Sequence, residues 1–233
     1  MTTSCFCKVI QPAQGVPSAD ASQPSSPARR LPRSVGDGSK FWRAGQWLSI
    51  AFTDAPTQEL QDAIEAIIWE WQPYINLYLA MSSVADAKIR ISTRITENTS
   101  YIGTDALKVP AGEPTMSIGN KPGNPEFRAA VLHEFGHALG FEHEHQHPEA
   151  NIPWNKPMVY RLYAEQYGHD KSAIDLNFFT PLNTKHLRSA PYDRKSIMHY
   201  PIENRLTNGE WEVKLNSDIS EQDIEFARLI YPK

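Results

Sequence analysis

"HEFGHALGFEH", residues 133–143, is the stretch on which the reading of this chain turns. His133 and His137 stand four positions apart. On an α-helix their side chains leave about 40° apart on one face, near enough to share a metal ion. Glu134 stands beside the first histidine, where a carboxylate can take a proton from metal-held water. Gly140 suits the left-handed turn that ends a helix, and such a turn brings His143 back as a third imidazole. Three neutral nitrogens leave one tetrahedral position open, the arrangement of a catalytic rather than a structural zinc site. A shuffled chain of this composition would give the extended pattern about once in thirty thousand trials. The plainer readings are two surface histidines on an amphipathic helix, or a structural zinc. For the second, the motif offers no fourth protein ligand.

Outward from the motif, "NPEF" at 124–127 reads as the start of the same helix, with Asn124 as N-cap and Pro125 and Glu126 in the first turn. Upstream, Trp47 to Phe52 reads as a strand. Asp54-Ala55-Pro56 then opens a helix carrying Leu60, Ile64, Ile67, Ile68 and Trp71 at helical spacing. "YINLYLAM" (74–81) and "KIRIS" (88–92) alternate as strands, and a Gly/Pro-rich stretch from Tyr101 to Gly123 encloses one short strand, Thr115 to Gly119. Downstream the pattern thins. Pro157 to Tyr167 and Ser220 to Tyr231 read as helices between long segments rich in Asn, Pro and Arg. Strands first and a loop-heavy second half argue α+β.

The chain has 233 residues, of which 40% are hydrophobic, enough for one large domain with a tail. Lys and Arg number 23 against 27 Asp and Glu, a net charge of −4. The first forty residues carry a positive excess, so the rest is acidic and no natural phosphate-backbone binder. No apolar run approaches the roughly 18 residues of a membrane span. Residues 1–38 are rich in Pro and Ser and poor in bulky apolar side chains, and read as a disordered leader before a domain over 40–233. Cys5 and Cys7 are the only cysteines, which excludes a disulfide framework for the domain and reads as plain tail thiols. The N-terminus has no basic segment followed by an apolar stretch, so no secretory signal is evident.

The extended motif resembles that of the metzincin metallopeptidases. Phe141 and Glu144 narrow the likeness, since "HEFGHALGFEHE" is similar to the astacin signature. "YDRKSIMHY", residues 192–200, is similar to the astacin Met-turn, and "SYIGTDALKVPAGEPTMSIG" resembles the edge-strand region of the short, disulfide-poor microbial relatives. The resemblance covers roughly Trp42 to Tyr231. It implies an α+β, metzincin-type zincin fold. An N-terminal mixed sheet with two helices lies above the zinc cleft, and an irregular C-terminal subdomain with one final helix lies below. It also implies one Zn²⁺ per chain on His133, His137 and His143, with Met198 as an apolar floor. Tyr200 becomes the tyrosine that stabilises the tetrahedral intermediate.

The activity implied is zinc-dependent endoproteolysis of internal peptide bonds by a zinc-bound water, with Glu134 as general base. The partners implied are protein or peptide substrates met by a monomer, with no nucleic acid. An extended substrate would add as a strand if the segment near Met116 is the sheet edge. The alternative is an inactive relative that keeps zinc and captures peptides, and retention of Glu134 and Tyr200 counts against it. The family analogy implies secretion, which the N-terminus does not signal, so location stays open.

In secreted relatives the glutamate after the third histidine pairs with a processed N-terminus, and Glu144 occupies that position in a structural role. Gly36-Asp37 resembles part of a propeptide motif whose aspartate blocks zinc, although a simple Gly-Asp turn is the favoured reading. His145 and His147 read either as a second metal site or as hydrogen-bonded or exposed loop residues. His199 is expected to face away from the metal, and Trp69, Trp71 and Tyr78 fit core packing.

Overall fold

The fold, a computed structural model, describes residues 35–182, 187–189 and 191–233. The expected leader falls outside these residues except for its last four, and Cys5 and Cys7 fall outside with it. Of those four, Val35 and Gly36 are buried against the domain. Val35 is buried, β1 (Gly36–Asp37) bridges to Phe141 through Gly36, and the Glu142 amide donates to the Val35 carbonyl at 2.8 Å.

Leu48 and Ile50 alternate with outward-facing residues in β2 (Trp47–Phe52), the period of a half-buried strand. The following helix, α1 (Gln58–Ile68), starts later than Asp54–Pro56 suggests. Thr57 is its N-cap, accepting from the Leu60 amide. Asp54 closes the neighbouring strand end instead, taking hydrogen bonds from Ser92 Oγ and the amides of Thr93 and Arg94. Ile64 and Ile68 turn α1 into the core, and a 3₁₀ segment (Trp69–Tyr74) buries Trp71. That segment takes Tyr74, the first residue of the long strand expected over 74–81, and β3 begins only at Tyr78 and runs to Met81. Tyr78 is not a core residue: it is half exposed and lies against the exposed Trp47.

β4 (Ile89–Ser92), β5 (Thr99–Ser100) and β6 (Met116–Ser117) complete a five-stranded sheet in the order β3-β2-β4-β6-β5. The first four strands in that order run parallel, and β5 runs antiparallel to β6. Met116 is therefore not at the edge of the sheet. Thr99 and Ser100 cover it, and both are themselves buried, so the expected open edge for an added strand is absent at Met116.

Next come α2 (Phe127–Ala138), α3 (Lys156–Tyr167) and α4 (Lys171–Ile174), the last running into one π-helical turn (Asp175–Phe179). α3 matches the helix read over 157–167, and α4 with its π-helical turn adds to it. β7 (Leu187–Arg188) pairs with β1, and α5 (Glu221–Ile230) is the final helix.

Two hydrophobic clusters result. The larger joins the sheet, α1, α2 and α5 through residues such as Ile50, Ile68, Trp71, Leu132 and Phe226. The smaller lies under α3 and α4, around Val159, Tyr163, Ile174, Phe178 and Tyr200. No helix among the described residues is long and apolar enough to cross a membrane.

Candidate metal centre and active site

α2 begins at Phe127 rather than just after Asn124. Asn124 still closes the approach, its side chain accepting from the Glu126 amide and its carbonyl from Phe127. From Ala129 to Ala138 every residue of α2 is buried, including His133, Glu134 and His137. Polar groups sunk this deep need partners. His133 Nδ1 lies 2.8 Å from the Ile197 carbonyl and His137 Nδ1 lies 2.7 Å from the Phe141 carbonyl. A carbonyl only accepts, so both Nδ1 atoms carry the proton and both Nε2 atoms present bare lone pairs.

Gly140 then makes the turn the sequence asks of it, at φ +103°. The Gly140 amide donates to His137 O and the Phe141 amide to Gly136 O, the paired closing bonds of a glycine-terminated helix. A Cβ at Gly140 would also fall 2.7 Å from the Phe41 ring. The returning chain is pinned by Val35 and by Lys40, whose Nζ lies 3.1 Å from Asp105 and 3.7 Å from Glu142. Burial pushes the Glu142 carboxyl up to about 7, against the pull of Lys40.

His143 arrives with its Nε2 3.0 Å from that of His137, which is in turn 3.1 Å from His133 Nε2. Among the described residues this trio is the metal-competent group, with all ligand atoms within 4.8 Å of one another. Burial pushes the His133 ring down to about 4. It drives His137 and His143 well below the usual range, helped by the neighbouring imidazoles. All three rings are neutral at physiological pH. Lone pairs of His133 and His137 that face each other with no proton between them repel, unless a cation sits among them. Three imidazole nitrogens are the donor set that zinc accepts, so the residues present fit the ion.

Beneath the trio lies the turn at 196–200. Gly136 has no Cβ, and one placed there would meet Met198 Sδ at 2.4 Å, so Met198 packs directly under α2. The turn is held from below by Asp223. Its carboxylate accepts from Ser196 Oγ at 2.6 Å and the Ile197 amide at 2.8 Å, while also closing the capping box of α5 with Ser220. Burial pushes the Asp223 carboxyl up to about 6, against these hydrogen bonds, which favour the anion. Sequence reading saw in Ser220 only a helix start. The signal for more was an acid three residues on, but nothing local said that it also binds a turn 26 residues upstream.

Tyr200 is buried, its ring centroid 4.1 Å from that of His143 and 5.9 Å from that of His133. Glu134 is fully buried one position along from His133. A small apolar pocket opens beside them, lined by Ala129, Ala130, Ile197, Pro201 and Leu215. His199 commits both ring nitrogens elsewhere, donating to the Tyr200 carbonyl through Nδ1 and accepting from Tyr192 Oη through Nε2, and is not part of the metal group. Glu144 serves locally, accepting from the Asp193 amide at 2.8 Å. Asp37 is spent on its own turn, accepting from the Ser39 amide and hydroxyl, and is not part of the metal group. His145 and His147 form no second metal group among the described residues, and both are buried.

Comparison with known proteins bears on the family and the fold. Residues 35–214 match the model of the peptidase family Astacin. The chain is similar to blastula protease 10 of Paracentrotus lividus, 31% identical over 143 residues, which is 57% of this chain and 21% of that protein. It therefore spans about a fifth of that relative's length. Among solved structures it is similar to myroilysin, at a TM-score of 0.81 and 35% identity, covering 86% of this chain and 99% of that one. High choriolytic enzyme 1, a hatching enzyme zinc-protease from Oryzias latipes, shares the fold. Its TM-score is 0.60 at 20% identity, over 83% of this chain and 95% of the other.

Proposed function

Because this chain belongs to the astacin family of peptidases, we propose that it is a zinc-dependent endopeptidase that hydrolyses internal peptide bonds of proteins. The observation that carries the reading is the convergence of three neutral imidazoles, two with bare Nε2 lone pairs, beside a buried carboxylate. One Zn²⁺ per chain is held by His133, His137 and His143, and when bound it supplies Lewis-acid polarisation of a carbonyl and lowers the pKa of water.

The protein supplies the rest. Hydrogen bonds from His133 to Ile197 and from His137 to Phe141 fix both rings in one tautomer and orientation. Glu134 accepts the proton of the attacking water and delivers it to the leaving nitrogen. Tyr200 donates its hydroxyl proton as a hydrogen bond to the developing oxyanion. The inactive-binder alternative has no observation in its favour, since Glu134 and Tyr200 are both present and both buried, with the Tyr200 ring against His143.

The test is hydrolysis of a pool of end-blocked, internally quenched peptides by the zinc-loaded chain, beside Glu134→Ala. The parent should cut between internal residues. The variant should lose about 10²-fold or more in kcat with zinc still bound at one equivalent. Retention of zinc by both proteins with cleavage by neither would replace the peptidase reading with the binding one.

A further inference from the structure

The sequence reads His145 either as half of a second metal site or as a hydrogen-bonded or exposed loop residue, and the structure shows it hydrogen-bonded and buried. Its ring lies nearly parallel to that of Tyr200, with centroids 4.5 Å apart and planes 18° apart, a closer alignment than His133, His143 or Phe178 offers that tyrosine. His145 is itself fixed. Its Nε2 is 2.8 Å from the Asn177 carbonyl, which only accepts, so Nε2 carries the proton. Asn177 belongs to the π-helical turn Asp175–Phe179, and Phe178 from the same turn packs beside both His145 and Tyr200. His145 Nδ1 is buried without a hydrogen-bond partner, an arrangement a protein does not keep for stability. An aliphatic side chain would fill the space without that penalty, but it would give Tyr200 no flat face.

From this geometry we infer that His145 is a positioning residue for Tyr200: its imidazole is a shelf, hung from the Asn177 carbonyl, that holds the phenol against the trio. The inference rests on the role proposed above for Tyr200. A tyrosine that must deliver its hydroxyl to one point gains from a ring beneath it that limits rotation and tilt, because misplacement of a catalytic group is costly in rate. The shelf also links Tyr200 to the π-helical turn, so the C-terminal half sets the position of a group that works on the metal side.

The experiment uses the full zinc-loaded chain with His145→Ala, His145→Phe, Tyr200→Phe and the His145→Ala/Tyr200→Phe double variant. Peptide kinetics are read alongside nitration of Tyr200 by tetranitromethane, followed by peptide mass. His145→Ala should lower kcat about tenfold while KM changes less than about twofold. Nitration of Tyr200 should rise about fivefold as the ring loosens. His145→Phe, which keeps a flat ring, should recover most of kcat and restore slow nitration. In the Tyr200→Phe background His145→Ala should cost less than about twofold, since an effect carried through the hydroxyl disappears with it.

Equal losses with and without the Tyr200 hydroxyl, or unchanged nitration in His145→Ala, would overturn the inference. Should Tyr200→Phe itself cost nothing, the role given to Tyr200 falls. The nitration rates then still decide whether His145 holds the ring.

Discussion

Met198 and Tyr200 are two residues apart, yet Met198 packs in the core of the sheet half and Tyr200 in the core under α3 and α4. The first core is built from regular elements. A mixed sheet and two helices pack around α2, and His133 and His137 leave that helix at fixed spacing. The second is built from short helices, a π-helical turn and stacked rings, and what it holds is a tyrosine. Regular backbone suits ligands that must stay still, because hydrogen-bonded helix geometry leaves few alternative positions. Aromatic stacking holds a ring by its faces. Under the proposed function, the two halves therefore divide the work between binding the ion and serving the reaction.

A matched pair of cavity variants tests that division. Ile68→Ala in the first core and Ile174→Ala in the second should each cost about 2–5 kcal/mol in denaturant unfolding, because both side chains are fully buried. They should differ in what else they lose. Ile68 sits on α1, which packs on α2, so zinc retention against a competing chelator should weaken in Ile68→Ala. Ile174→Ala should keep its zinc and lose kcat. If both variants release zinc alike, the halves act as one unit and the comparison fails.

The second test concerns the start of the domain. A chain beginning at Phe41 lacks the Val35 carbonyl that receives the Glu142 amide and the Lys40 ammonium between Asp105 and Glu142. It should be less stable than one beginning at Val35 by about 3 kcal/mol, and should bind zinc more weakly because the strap holds the loop into His143. Equal melting temperatures would remove residues 35–40 from the first half's machinery.

The smallest effect concerns Asp223. Its folded carboxyl titrates near 6, above the value of an unfolded chain, so the folded protein keeps that proton longer. The stability this contributes is complete below about pH 4 and is lost as pH rises through about 6. Asp223→Asn cannot titrate. The difference in unfolding free energy between wild type and variant should therefore shift by on the order of 2 kcal/mol in the variant's favour from about pH 4 to about pH 7. A difference constant with pH would mean that Asp223 stays ionised throughout.

The first core was the legible one. Trp47–Phe52 alternates as a strand, and α1 repeats its apolar residues at helical spacing, so pattern alone found them. The histidine motif was legible for the same reason, being written on one helix and one glycine turn. What failed was settled by distant contacts. Asp54 looked like a helix start and became a strand-end acceptor for Ser92 and Thr93. Met116 looked like an edge until Thr99 and Ser100 paired over it. Composition assigned Val35 to the leader, but one backbone bond to Glu142 and burial draw it into the fold. In the second core α3 was legible over 157–167, but the rest was not, because α4 is one turn and Tyr200 is held by rings from other segments.

The hold on His133 also has an order in time. His133 is steadied by the carbonyl of Ile197, 64 positions later in the chain, and Ile197 is anchored by Asp223, a further 26 positions on. A nascent chain emerging from the ribosome carries the first two histidines long before it carries what fixes the first of them. During synthesis the trio is therefore incomplete, then unsupported, and becomes rigid only after the final helix has docked. Under the proposed function, the catalytic centre is then the last part of the described fold to be finished.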